Sequence, residues 1–265
     1  MSEIIFAASN LTKQYRRAFD IKSGGFYTDR FYALDGLCME IHKGDIYGFV
    51  GKNGAGKTTL MRILAGRARQ SAGKVEFFGE SEEKGLCVQR RRIGAMIEIP
   101  ALYLGMTATD NLEVLRLQYG ISGRGCILEL LKLVGLTDAA DKRVKDFSLG
   151  MKQRLGLAMA LMSNREFLVL DEPINGLDPE GIVEFRELLK KLNRELGITI
   201  LISSHLLGEL SQLATCYGFI HKGKMVEEIT AERLREKLKE KRLEEKNASL
   251  EKYYMTVIKG EGGER

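Results

Sequence analysis

The stretch Gly48–Met61, GFVGKNGAGKTTLM, constrains this chain more than any other. Within it, Gly51, Gly56, Lys57 and Thr58 show the spacing G-x-x-x-x-G-K-T. Glycines so placed let backbone N–H groups turn inward, and a helix opening at Lys57 aims its positive end at the same point. The apolar run Ile46–Gly51 before it reads as a buried strand, and KTTLMRILAG after it has helical spacing. A loop of this build cradles phosphate. The residues Gly51, Lys52, Asn53, Gly54, Ala55, Gly56, Lys57, Thr58 and Thr59 are therefore candidate nucleotide contacts. The ammonium of Lys57 suits β- and γ-phosphates, and the Thr58 hydroxyl suits Mg²⁺. Kinases, switch GTPases, helicases and transport motors all use such loops, so the rest of the chain must decide among them.

A second segment narrows the choice. FLVLDEP, Phe167–Pro173, is an apolar strand pattern that ends in two acids. Asp171 stands where the Mg²⁺ partner of a phosphate loop is expected, acting through water. Glu172 follows it and can orient and deprotonate an attacking water. That argues for nucleotide hydrolysis rather than transfer to a second substrate.

Apolar strand patterns separated by helical ones, including ITILISSH at Ile198–His205, point to an α/β fold with a parallel sheet covered on both faces. Ligands then bind at the carboxyl ends of the strands. Between Thr107 and about Ser163 the pattern is helical throughout, with Thr109 as the expected N-cap of its first helix. A helix from Gly150 to Ser163 would be ~21 Å long. Ser148 at its start then lies far from the strand carrying Asp171. An exposed polar turn so remote from its own phosphate loop suits a phosphate held by another subunit.

The bulk numbers fit a globular protein with a sizeable core: 265 residues, 44% hydrophobic and 29% charged. A net charge of +5 is a mild excess that would suit nucleic acid or a membrane surface but reads first as a solvated surface, and no nucleic-acid partner is expected. Four scattered cysteines, Cys38, Cys87, Cys126 and Cys216, form no C-x-x-C pair and read as idle thiols in a reducing compartment. The start carries no signal-peptide pattern, and no run reaches the ~18 apolar residues of a membrane span. A cytoplasmic chain is expected, with any membrane crossing done by a partner. The tail from Ala231 to Arg265 is dense in mixed charge with sparse leucines at 234, 238 and 243, and reads as a solvated helix, with an interaction helix as the lesser alternative.

The motifs GKNGAGKTT, FSLGMKQR, LVLDEPINGLDP and LISSH occur in the order and spacing of the ATP-binding subunits of ABC transporters, which the chain resembles over about residues 3 to 230. The resemblance implies a P-loop NTPase (RecA-like) core, an inserted helical subdomain and an N-terminal antiparallel β portion. It divides the chain into core residues 1–98, helical subdomain 99–163, core residues 164–230 and tail 231–265. It makes SLGMKQ the signature, with Ser148 and Gly150 at the key positions. Asp178 becomes the D-loop acid, His205 the switch histidine at γ-phosphate, and Tyr15 the aromatic that stacks on adenine. Glu98 occupies the Q-loop position, where most of the family has glutamine, and could join both Mg²⁺ and the chemistry. Two subunits would pack head to tail as a homodimer around two ATP molecules, on a separate membrane permease. The longer turn RRAFDIKSGGFYTDRFY brings Phe26, Tyr27, Phe31 and Tyr32 as rivals of Tyr15.

Within that family the chain looks like the bacitracin and lantibiotic exporters, whose Q-loop often carries glutamate. Export of, or resistance to, antimicrobial peptides or drugs is the implied activity, at the cytoplasmic face of the membrane. The alternatives are a non-transport ABC ATPase on DNA or ribosomes, or a regulatory nucleotide sensor. A single cassette speaks against the first, and the presence of Lys57, Asp171, Glu172 and His205 against the second. A small GTPase would need an N-K-x-D pattern, which is not recognisable here.

Overall fold

The computed structural model describes residues 3–16, 30–98, 100–163, 165–240 and 249–261. Two sheets form its frame. Strands β1 (Ile4–Arg16), β2 (Arg30–His42) and β4 (Ala72–Phe77) make an antiparallel sheet in the order β2-β1-β4. Strands β3 (Ile46–Val50), β5 (Ile93–Met96), β6 (Phe167–Asp171), β7 (Thr199–Ser203), β8 (Cys216–His221) and β9 (Lys224–Thr230) make the second, in the order β5-β6-β7-β3-β8-β9. From β5 to β8 every neighbour is parallel. Only β9 runs antiparallel, as the return arm of a hairpin with β8. The expected parallel sheet is thus a mixed one. The two residues between β8 and β9, Lys222 and Gly223, both have positive φ, and so short a turn can only reverse the chain.

Strands β3, β6 and β7 are buried at all five positions each. That is why they read as continuous apolar runs rather than alternating ones. Successive residues still face opposite ways. Phe49, Phe167, Val169 and Leu201 pack with helix α1 (Lys57–Leu64) and with Phe6, Leu34 and Phe77 of the antiparallel sheet. Val50, Leu168, Leu170, Ile200 and Ile202 join the opposite cluster, which includes Leu155, Leu157, Phe185 and Leu189. Those last four lie on α5 (Leu149–Leu161) and α6 (Pro179–Leu196). Helices α2 (Glu83–Gln89), α3 (Ala108–Gln118) and α4 (Gly125–Leu133) complete the part before α5.

Register decides where the site lies. Phe49 pairs with Ser203, and Asp171 pairs with Ser203 from the other side. The carboxyl ends of β3, β6 and β7 therefore stop side by side, and the loops leaving them converge.

Several local expectations shift. Strand β5 covers only Ile93–Met96 of the run Arg91–Glu98, because Arg90–Arg92 close a 3-10 turn first. The N-cap of α3 is Thr107, not Thr109. The Thr107 hydroxyl accepts the Asp110 N–H at 3.0 Å while Asp110 accepts the Thr107 N–H at 3.2 Å. Those two reciprocal bonds form a capping box, which a Thr109 start could not close. The Thr109 hydroxyl donates instead to Ala140 O.

The tail is the larger correction. It forms α8 (Ala231–Glu240) and α9 (Ser249–Glu261), and neither is merely solvated. Leu234, Leu250, Tyr253 and Tyr254 are buried, packed into the main core. The expectation weighed leucines alone, whereas two adjacent tyrosines supply much of the docking surface. Leu243 lies outside the described residues.

Candidate functional site

Helix α1 starts inside the phosphate loop, with Gly56 as its N-cap at φ 116°. A Cβ there would sit 2.4 Å from Ala33 O, so only glycine fits both the backbone angle and the space. The Lys57 side chain folds back and donates to Gly51 O at 2.6 Å and Lys52 O at 3.4 Å. It is 6% exposed. Burial pushes its ammonium below the ordinary lysine pKa, and the nearby Glu172 and Asp171 carboxylates oppose that.

Asp171 is clamped from two sides. Thr58 donates to Oδ2 at 2.7 Å and Ser203 donates to Oδ1 at 2.7 Å. Ser203 also accepts the Glu172 N–H at 3.0 Å, so one hydroxyl orients both acids. Glu172 lies at φ 49°, a left-handed backbone that costs a non-glycine residue about 1–3 kcal/mol. The Ser203 bonds to its N–H hold it there. Its carboxylate faces His205, with Oε2 accepting the His205 N–H at 3.1 Å and lying 2.6 Å from Nδ1. Its Oε1 is 3.9 Å from Lys57 Nζ.

A cleft of about 670 Å³ opens above this group. Its lining includes Tyr15, Phe31, Lys52, Asn53, Gly54, Gly56, Lys57, Thr58, Thr59, Asp171 and Glu172. Ala55 is buried beneath the loop, with its carbonyl accepting the Gly223 N–H. Tyr15 and Phe31 are register partners at the ends of β1 and β2, and their rings stack at 5.7 Å. The cleft's aromatic wall is thus a pair of rings. Tyr32 is 54% exposed and is not among the lining residues. Phe26 and Tyr27 lie outside the described residues.

Ser148, Gly150 and Asp178 gather elsewhere, in a second cleft of about 680 Å³ with Leu149, Gly176 and Leu177. Ser148 caps α5 and accepts the Met151 N–H at 3.2 Å. Asp178 caps α6 and accepts the Gly181 N–H at 3.0 Å. Glu98 shares a third hollow with Asp171, Glu172, Gln153 and Asn175. Its carboxylate is paired with Arg62 of α1, and its backbone is left-handed at φ 63°.

The donor set at the first cleft fits a small hard cation. Thr58 and Asp171 offer a hydroxyl and a carboxylate oxygen already 2.7 Å apart. Mg²⁺ takes one or two protein oxygens and fills its shell with water and phosphate, which this pair of donors fits.

Two groups escaped sequence reasoning. Ser203 sits in LISSH and could have been suspected from its place at the end of a buried strand. Arg62 carries no motif signal. Its pairing with Glu98 follows only from α1 passing beside the loop after β5.

Comparison with known proteins accords with this geometry. The family model described as ABC transporter matches residues 34–175. The bacitracin transport ATP-binding protein of Bacillus licheniformis is 47% identical over 205 residues, covering 77% of this chain and 67% of that protein. The lantibiotic transport ATP-binding protein of Streptococcus pyogenes is 45% identical over 193 residues, covering 73% and 82%. A solved dimeric ATP-binding cassette in a post-hydrolysis state, bound to ADP and Pi, superposes with a TM-score of 0.74 at 25% identity, covering 86% of this chain and 99% of that one. Among the described residues no helix is long and apolar enough to cross a membrane. With the family model spanning the glycine loop, the turn at Ser148–Gly150 and the Asp171–Glu172 strand end, the chain belongs to the ABC transporter family as one of its ATP-binding subunits.

Proposed function

We propose that this subunit binds Mg-ATP in the Tyr15–Lys57 cleft, closes as a head-to-tail homodimer, and hydrolyses ATP to power a separate membrane permease. The observation that carries the reading is the joint placement of Asp171 and Glu172. One acid is tied to the loop threonine and the next to His205, both from one strand end. Lys57 neutralises phosphate charge from below. Bound Mg²⁺ would draw electron density from the phosphates and ease attack. Glu172 takes the proton of the attacking water, and His205 holds that carboxylate in place and meets γ-phosphate.

Ser148, Gly150 and Asp178 supply the opposite wall. They line their own cleft rather than the phosphate loop's, so the surface they form completes a second chain's site. The N-termini of α5 and α6 both open there and favour a partner's phosphates. Residues 99–163 then move as a helical unit against the core, and that motion is the output. The bacitracin and lantibiotic transport proteins among its relatives support antimicrobial peptides as the cargo of the complex. The subunit sits at the cytoplasmic face through its permease.

The reading is tested by expressing the chain with its permease and challenging cells with bacitracin or a lantibiotic. Resistance that Glu172→Gln abolishes is expected. Co-purification with nucleic acid instead of a membrane protein would overturn it.

Glu98 gives a finer test. The Arg62 guanidinium already offsets its charge, so Glu98→Gln leaves the isolated subunit's ATPase within about tenfold, ~1.4 kcal/mol in barrier. Glu98→Ala removes the link between α1 and the hollow beside α5. Hydrolysis then persists in part while resistance in cells is lost. If Glu98→Gln silences hydrolysis as fully as Glu172→Gln, Glu98 takes part in the chemistry and the coupling role fails.

A further inference from the structure

Helix α9 reaches the phosphate loop from the far end of the chain. The Tyr254 hydroxyl accepts the Lys52 N–H at 2.9 Å. Tyr254 is 6% exposed, and its ring stacks on Phe219 at 6.1 Å. Phe219 of β8 is the register partner of Val50, the residue at which β3 ends. The tyrosine thus rests on the strand beside β3 and extends to the loop that leaves it. Helix α9 also lies against α7 (Leu207–Leu210), which begins two residues after His205. One helix therefore touches the first turn of the phosphate loop and the helix that follows His205.

The neighbouring tyrosine does a different job. Tyr253 donates to Glu227 at 2.9 Å, and Lys237 donates to Glu227 at 2.6 Å and to Tyr253 at 3.2 Å. That network fastens α9 to α8 and β9 without touching the loop. Both rings pack into the core, but the Tyr253 hydroxyl serves the α8–β9 network and the Tyr254 hydroxyl meets the loop.

We infer that Tyr254 is a positioning residue for ATP binding, through which α9 holds the opening turn of the phosphate loop. The inference rests on the loop's being the ATP site. Lys52 is the hinge of that turn. Its carbonyl accepts from the Ala55 N–H at 3.0 Å and from Lys57 Nζ at 3.4 Å. Its N–H is met by Tyr254. With both ends of the residue bonded, the carbonyl that steadies Lys57 is fixed before nucleotide arrives. Without the hydroxyl the turn must be ordered on binding, and that ordering appears in affinity. Chemistry is untouched, since Asp171 and Glu172 are held by Thr58, Ser203 and His205.

The experiment uses the full chain with Tyr254→Phe, which keeps the ring on Phe219, and Tyr253→Phe as its control. Tyr254→Phe should raise the ATP Kd and KM about threefold to tenfold, the worth of one net hydrogen bond, with kcat at saturating ATP within about twofold. The Lys52 amide should exchange with solvent at least about tenfold faster. Tyr253→Phe should leave the ATP Kd and the Lys52 amide unchanged. An unaltered Kd or Lys52 exchange rate in Tyr254→Phe overturns the inference. So does an equal loss in Tyr253→Phe, which would make α9 a matter of folding alone. Lys57→Ala in the same assay separates the two levels: normal ATP binding there removes the ATP-site reading itself, whereas its loss beside an unaltered Tyr254→Phe removes only the role of Tyr254.

Discussion

Replacing Glu172 with glutamine is expected to slow ATP turnover by roughly 10² to 10⁴, the usual worth of a general base. The substitution preserves the shape that meets the His205 N–H and Nδ1. It leaves the Ser203 bond to the residue's own N–H in place, so the left-handed backbone stays supported. Asp171 and its Thr58 partner are untouched. Binding should survive while the proton acceptor is gone, and the protein should accumulate as an ATP-bound dimer. Size-exclusion in Mg-ATP checks this directly. A Glu172→Gln protein that stays monomeric at high concentration, alone and with its permease, contradicts the proposed clamp. One that turns over ATP at the unmodified rate removes Glu172 as the base.

Lys57→Ala should raise the ATP dissociation constant by at least about tenfold. A hydrogen bond to a charged group contributes about 1.5–3 kcal/mol, and 1.4 kcal/mol is one decade. The lost ammonium also removes a positive charge 3.9 Å from the Glu172 carboxylate, so the cleft becomes less favourable to anionic phosphates. An affinity changed by less than about threefold counts against the site. pH offers a second handle on the same residue. Its pKa is lowered by burial, so the free subunit loses the charge at a lower pH than an ordinary lysine would. ATP affinity should therefore fall as pH rises into the alkaline range, and that fall should be absent in Lys57→Ala.

The phosphate loop was legible because its constraint is local. Gly56 must be glycine for its own backbone angle, one residue from Lys57, whereas the crowding carbonyl of Ala33 comes from β2 and leaves no local trace. The Asp171–Glu172 strand end was legible for a related reason. A strand buried on both faces tolerates charge only where it leaves the core. The Thr107 cap was missed because two threonines two residues apart compete, and only the closure of a reciprocal box with Asp110 separates them. The docked tail was missed because its apolar residues, two of them tyrosines, are spread over two helices, so the leucines alone make only a weak stripe.

The sequence by itself determined the α/β class, the glycine loop between a strand and a helix, and the place of the two acids at a strand end. Each of these depends on residue type at fixed spacing along one segment. Tertiary structure alone decided the rest. Register set Phe49, Ser203 and Asp171 side by side and so made Ser203 the shared support of two acids. The short β8–β9 turn made the sheet mixed. The return of α9 across β8 put Tyr254 on the Lys52 amide, 202 residues away in sequence. Pairings over such separations have no local signature, because their energy comes from surfaces that meet only after the chain has folded.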